Sequence, residues 1–208
     1  MGYTGCVSHR FNPDRLHRLN DPEREKMLDP AVLWAGFGVD RPGCVVDLGA
    51  GTGFFAVRFI PRLAPGGTIW ACDTDPGMVG WMREHLTASQ LARVTPLETG
   101  ENDIGLPDAS ADLAYLVNVY HELEDAPRML QELLRLLKPG APLAVVEWKK
   151  EPMPHGPPVA RRVDGEVIRR QMERAGLAGV AEPASLPLHV FLTGRKEPAR
   201  RQAVLQEA

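Results

Sequence analysis

The sequence predicts an α/β fold: a mostly parallel sheet, doubly wound with helices on both faces and finished by an antiparallel terminal strand. Three observations carry this. Short apolar runs of strand length alternate with segments whose apolar residues recur at helical spacing. The first run ends in an acid and a glycine-rich turn that opens a helix. The last two strand-like segments are joined only by a link at Pro183–Pro187. A parallel crossover needs about a dozen residues, so these two strands pair antiparallel.

The elements follow in order. Residues 1–40 read as an N-terminal helical segment, whose first 20 residues are either half of a lid or an isolated tail. Asp21-Pro22-Glu23-Arg24-Glu25 starts a helix, with Asp at the cap, Pro in the first turn and acids favoured by the dipole. It runs, with a break at Pro30, towards Phe37. Val45–Leu48 is a buried strand, followed by a glycine turn and a helix through about Leu63. Thr68–Cys72 is the second strand, and Pro76 opens a helix to about Leu86. Arg93–Leu97 and Asp112–Val117 are strands three and four. Met129, Leu130, Leu133, Leu134 and Leu137 give Pro127–Leu137 a helical stripe, stopped by Lys138-Pro139-Gly140. Leu143–Glu147 is a strand, Gly165–Ala175 a helix, and Leu188–Thr193 the terminal strand after a short segment near Val180. Residues 195–208 are charged or small and are expected to fray.

No repeat or low-complexity linker divides the 208 residues, so one domain is expected: a helical segment over 1–40, a core over 41–150, and a C-terminal helix with antiparallel strands over 151–194. A net charge of −3 gives no electrostatic case for nucleic acid or a membrane surface as partner. Arg161, Arg162, Arg169 and Arg170 read as one solvated helix face. Cys6, Cys44 and Cys72 form neither a disulfide framework nor a metal cluster, and His155 and His189 have no partner at metal spacing. With no apolar N-terminal leader and no run near the roughly 18 apolar residues of a span, a cytoplasmic protein is expected.

The densest chemistry lies in Val45-Val46-Asp47-Leu48-Gly49-Ala50-Gly51-Thr52-Gly53. Glycines serve a tight turn and let a ligand approach bare backbone. Asp47, at the carboxyl end of the strand, suits a cationic ligand. Asp73 follows the second strand, 20 residues beyond Gly53, where an acid can accept bonds from both ribose hydroxyls; its alternative is a helix cap with Thr74 and Asp75. An NAD-binding oxidoreductase would carry G-x-G-x-x-G, but that third glycine position is Phe54. A pyrophosphate would also be repelled by Asp47. S-adenosylmethionine, with a ribose, an ammonium and a sulfonium, fits better.

These residues, with IWACDTDPGM, LPDASADLAYLVNVYHELED and LLKPGAPLAVVEWKKE, resemble a class I S-adenosylmethionine-dependent methyltransferase of the broad type 11 group, over about residues 40–150. The resemblance implies a seven-stranded sheet of order 3-2-1-4-5-7-6 with the last strand antiparallel. It implies that Asp47, Gly49, Gly51 and Gly53 cradle the methionine and ribose, and that Asp73 holds the ribose hydroxyls. Met78 would lie against adenine, or else pack in the core. The acid that such proteins use for the adenine amino group corresponds to Glu101, Asn102 or Asp103. Asn118 would present its backbone carbonyl to the methionine ammonium.

S-adenosylhomocysteine would be the product and a small molecule the acceptor, with a homodimer allowed. A non-catalytic cofactor-binding protein is the alternative, because a fold does not guarantee chemistry. His121, beside Glu122 past the fourth strand, is the candidate base, or else it merely orients the loop. Glu147 either faces the acceptor or closes its strand with Trp148-Lys149-Lys150. Arg24 either meets a carboxylate or is an exposed helix arginine. The proline-rich 151–158 stretch either covers the acceptor pocket or connects passively.

Overall fold

The computed structural model describes residues 16–198. The tail at 1–15 and the last expected fraying residues, 199–208, lie outside the described residues. Seven strands form one sheet: β1 (Cys44–Leu48), β2 (Thr68–Asp73), β3 (Val94–Glu98), β4 (Leu113–Val117), β5 (Pro142–Trp148), β6 (Leu177–Ala181) and β7 (His189–Lys196). Their order is β3-β2-β1-β4-β5-β7-β6, as expected. The first five run parallel, and β7 is antiparallel to both β5 and β6.

Period-two alternation divides the core between the two faces. Leu113, Tyr115 and Val117 of β4 join one cluster with residues of helices α3 (Pro30–Phe37), α4 (Phe54–Phe59) and α5 (Pro76–His85). Ala114 and Leu116 join the other, under α7 (Ala126–Leu136) and α8 (Gly165–Ala175). On the first face Phe37 stacks on Tyr115 at 5.2 Å and meets Phe59 edge-on.

Local chemistry explains where the helices depart from expectation. The first helical stretch splits into α1 (Leu16–Leu19), α2 (Glu23–Met27) and α3. The expected break falls at Pro30, which starts α3 because Asp29 caps Ala31 N at 2.7 Å and Pro needs no partner in the first turn. α4 stops at Phe59, and Pro61 turns its tail into a 3-10 turn over Ile60–Arg62. A short helix not anticipated, α6 (Ala88–Leu91), is fixed by a capping box between Thr87 and Gln90. β7 extends past Thr193 because Arg195 reaches the carbonyls of Gly140 (2.9 Å) and Gly38 (2.6 Å). No helix among the described residues is long and apolar enough to cross a membrane.

Because β1, β2, β4 and β5 are parallel, their carboxyl ends open onto one edge. The loops after these strands share that edge with α2. A ligand of an open α/β sheet sits there.

Candidate functional site

The turn after β1 is held by backbone. Gly49 N and Ala50 N both donate to Cys72 O, at 2.8 and 2.9 Å. Gly49 has φ +68°, and a Cβ there would lie 2.4 Å from Val119 Cγ2, so the turn admits no side chain. Gly51, at φ +56°, donates its N–H to Asp73 Oδ2 at 2.8 Å. Asp73 Oδ1 accepts from Asp75 N at 3.0 Å, while Asp75 itself caps α5 through Gly77 N. Asp73 thus ties the β1 turn to the end of β2, and the helix cap is its neighbour.

These groups border a cavity of about 950 Å3 at the carboxyl edge. Asp47, Gly49, Gly51, Asp73, Glu101 and Asn118 all line it, together with Met78 and His121. Gly53 does not: its missing Cβ faces Met82 Sδ at 3.3 Å, so it serves the packing of α4 on α5. Asn102 also lies off the cavity lining, and Asp103 is exposed and bonds Gly105 N. Met78 is 3% exposed and belongs to neither core cluster.

Asp47 is 4% exposed and has no ion pair among the described residues. Burial pushes its carboxyl up to about 7, against the pull of the neighbouring Tyr115 hydroxyl and, more weakly, Arg24; Asp73 adds to the rise. A cation reaching this wall would restore its charge. Asn118 leaves β4 in a left-handed turn (φ +62°), and its Oδ1 is buried without a hydrogen-bond partner among the described residues. Bare glycine backbone, two carboxyl groups and an orphaned amide oxygen around one cavity fit a ligand with a ribose and an ammonium.

Another part of the cavity lining is organised by side chains. His121 stands in a 3-10 turn (Tyr120–Glu122) after β4. Its Nδ1 lies 2.9 Å from Glu147 Oε2, which also accepts from His121 N at 3.2 Å. Nε2 is 3.7 Å from Glu122 Oε1. Burial alone would lower the imidazole pKa, but the hydrogen bond and charge of Glu147, helped by Glu122, raise it above the ordinary value. Glu147 is fully buried, its Oε1 accepting from Trp148 N at 2.7 Å.

Trp148 forms the wall beyond. Gly156 lies against the indole, where an added Cβ would come within 2.7 Å. His189 packs against it, tilted by 38° with ring centres 4.2 Å apart, and among the described residues both its buried ring nitrogens lack a hydrogen-bond partner. Burial, with the cationic charge of Arg24, Lys149 and Arg162, lowers its pKa to about 3 and keeps it neutral. The 151–158 loop, expected to cover the pocket or connect passively, lines the cavity through Pro154, His155, Gly156, Pro157 and Pro158.

Arg162, read from sequence as part of a solvated face, is instead buried. Its guanidinium donates to the carbonyls of Pro157, Lys149, Glu151 and His155, at 2.7 to 3.1 Å. The missed features are thus the Arg162 hub, the Trp148–His189 pair and the coupling of His121 to Glu147. The proline run was the available signal for the first, since prolines leave carbonyls for a donor to collect. The other two join residues distant in sequence and carry no local signal.

The cavity and topology define a nucleotide-type site on a doubly wound sheet. The family model for a methyltransferase domain matches residues 45–140. A S-adenosylmethionine-dependent methyltransferase of Aquifex aeolicus is 30% identical, with a TM-score of 0.82, covering 89% of this chain and 99% of that one. Human N-acetylserotonin methyltransferase in complex with S-adenosylmethionine has the same fold, with a TM-score of 0.67 at 20% identity over 88% of this chain and 55% of that one. The ubiquinone/menaquinone biosynthesis C-methyltransferase UbiE of Bordetella avium is 30% identical over 131 residues, which are 60% of this chain. That match spans 50% of the length of the curated relative. The chain belongs to the class I S-adenosylmethionine-dependent methyltransferases.

Proposed function

We propose that the chain transfers the methyl group of S-adenosylmethionine to a small-molecule acceptor. In this reading Asp47, Gly49, Gly51, Asp73, Met78, Glu101 and Asn118 hold the cofactor. The observation that carries it is the convergence of Asp47 and Asp73 on the bare backbone of the 49–51 turn, around one cavity. Asp73 spends one lone pair of each oxygen on backbone N–H groups, which leaves acceptor capacity for two ribose hydroxyls. Asp47 meets the positive end, Glu101 is the candidate for the adenine amino group, and Gly53 supports the turn from behind. When bound, the cofactor supplies an electrophilic methyl with a neutral thioether leaving group.

His121 is the proton acceptor for the methyl acceptor, where that molecule must lose a proton. Glu147 is its positioning residue, holding Nδ1–H so that Nε2 carries the free lone pair. The relation to a C-methyltransferase favours an acceptor whose carbon becomes nucleophilic on deprotonation. Trp148 and the 151–158 loop exclude water from that side.

Calorimetric titration tests the cofactor half. S-adenosylmethionine should bind and NADH should not, and Asp73→Ala should weaken binding by roughly 2–3 kcal/mol through the lost charge-assisted bonds. A folded, ligand-free protein that ignores S-adenosylmethionine would overturn the reading. The charge on Asp47 adds a pH test. Its raised pKa means that the free protein carries this proton below about 7. Binding a cation must expel it, so affinity should fall as pH drops below 7. Titrations in buffers of different ionisation enthalpy should detect the released proton near pH 6, and Asp47→Asn should abolish it.

A further inference from the structure

Neighbouring charges on α2 have different settings. Glu25 is exposed and pairs with Arg58, 2.7 Å from Nε. Arg24 is half-buried and lines the cavity. Its guanidinium carbon sits 4.6 Å from the ring centre of Phe54 and 5.1 Å from that of Phe55. Nη1 donates to the Leu19 carbonyl, and no carboxylate among the described residues comes within ion-pair distance. Burial lowers its pKa to about 10, with Asp47 opposing the fall and Arg58 adding to it.

A guanidinium has five donors in a rigid fork suited to a carboxylate. Among the described residues one of the five has an acceptor, and it is a neutral carbonyl. Two aromatic rings hold the group in place without neutralising it. Elsewhere on the lining of the same cavity Asp47 is a buried carboxyl group with no cation at ion-pair distance among the described residues. The two sense each other's charge without forming a contact pair. One cavity thus offers a carboxyl group suited to a cation and a guanidinium suited to an anion, which is the complement of a zwitterionic α-amino acid.

We propose that Arg24 receives the α-carboxylate of the cofactor's amino-acid end, while Asp47 serves its ammonium. This rests on the cofactor reading above. It makes α2 a strap over the methionine end of the site and part of the binding surface. The chain then distinguishes an intact cofactor from its truncated nucleoside by a charge on a segment preceding the glycine motif.

The test is calorimetric titration of the full chain with S-adenosylhomocysteine and with 5′-methylthioadenosine, which keeps the nucleoside and thioether but lacks the amino acid. Both are measured on the parent, Arg24→Met and Arg24→Lys. Arg24→Met should weaken S-adenosylhomocysteine roughly 10- to 100-fold, the range of a charge-assisted bidentate pair. It should leave 5′-methylthioadenosine within about 3-fold, and Arg24→Lys should recover part of the loss. Unchanged S-adenosylhomocysteine affinity in Arg24→Met would overturn the proposal, because the carboxylate would then lie elsewhere. Equal weakening of both ligands would also overturn it, because Arg24 would then merely hold α2 in place. Failure of the parent to bind either ligand would bring down the cofactor reading itself, and this inference with it.

Discussion

The two sides of the cavity are built by different means. On the side proposed for the cofactor, the turn after β1 is shaped by main chain: glycines in left-handed conformations, N–H groups on Cys72 O, and one carboxylate, Asp73, stitching strand to turn. On the side proposed for the acceptor, the loop past β5 and the turn past β4 are held by buried side-chain hubs. Arg162 gathers four carbonyls, and Glu147 gathers His121 and Trp148. The first side has little freedom to vary, since a backbone cradle fails when a Cβ enters it. The second can change its lining while its hubs stay fixed.

The largest expected effect tests the rigid side. Gly49→Ala places a methyl 2.4 Å from Val119 in a backbone conformation that L-residues avoid. Left-handed strain and overpacking together should cost about 3–4 kcal/mol of unfolding free energy. Denaturant titration of the variant reads this directly. A loss below about 1 kcal/mol would mean that the turn relaxes, and the contrast between the two sides would fail.

Next in size is the hub of the other side. Arg162→Ala removes a buried guanidinium and leaves four carbonyls without their donor. Roughly 2 kcal/mol of stability should be lost. Cleavage by a protease within 151–158 should become faster, while S-adenosylhomocysteine affinity stays within about 3-fold. A large fall in that affinity would show that the two sides are one cooperative unit.

The same contrast explains what could be read in the sequence. Gly49, Gly51, Asp47 and Asp73 lie on contiguous stretches whose spacing is dictated by a turn, and the structure brings them to one cavity. The antiparallel end of the sheet followed from a link too short to cross over. Arg162 was misread because charge on a helix-like stretch ordinarily means solvent, and only the folded loop reveals the carbonyls awaiting it. His189 was passed over for a related reason. Its cross-strand partner Trp148 is 41 residues away, and nothing local marks the pairing. The break at Pro30 was legible because proline is favoured at the first helical position, and Asp29 supplies the cap that fixes it.

The finest test concerns the proton on His121. Its imidazole pKa is raised because Glu147, and then Glu122, outweigh the burial that favours the neutral ring. A raised histidine stabilises the fold fully below its unfolded value and loses that contribution as pH climbs through the folded value. Glu147→Gln keeps an acceptor for Nδ1–H but removes the negative charge, so the balance tips towards desolvation. The His121 titration, followed by the ring-proton shift in NMR, should move to lower pH, and the stabilisation at low pH should shrink. If His121 must be neutral to take a proton, the rising limb of the methyl-transfer rate should move to lower pH by the same amount. A ring titration that moves while the rate limb stays would leave His121 as a structural residue of the 120–122 turn. If neither moves, Glu147 does not govern the imidazole despite the 2.9 Å contact.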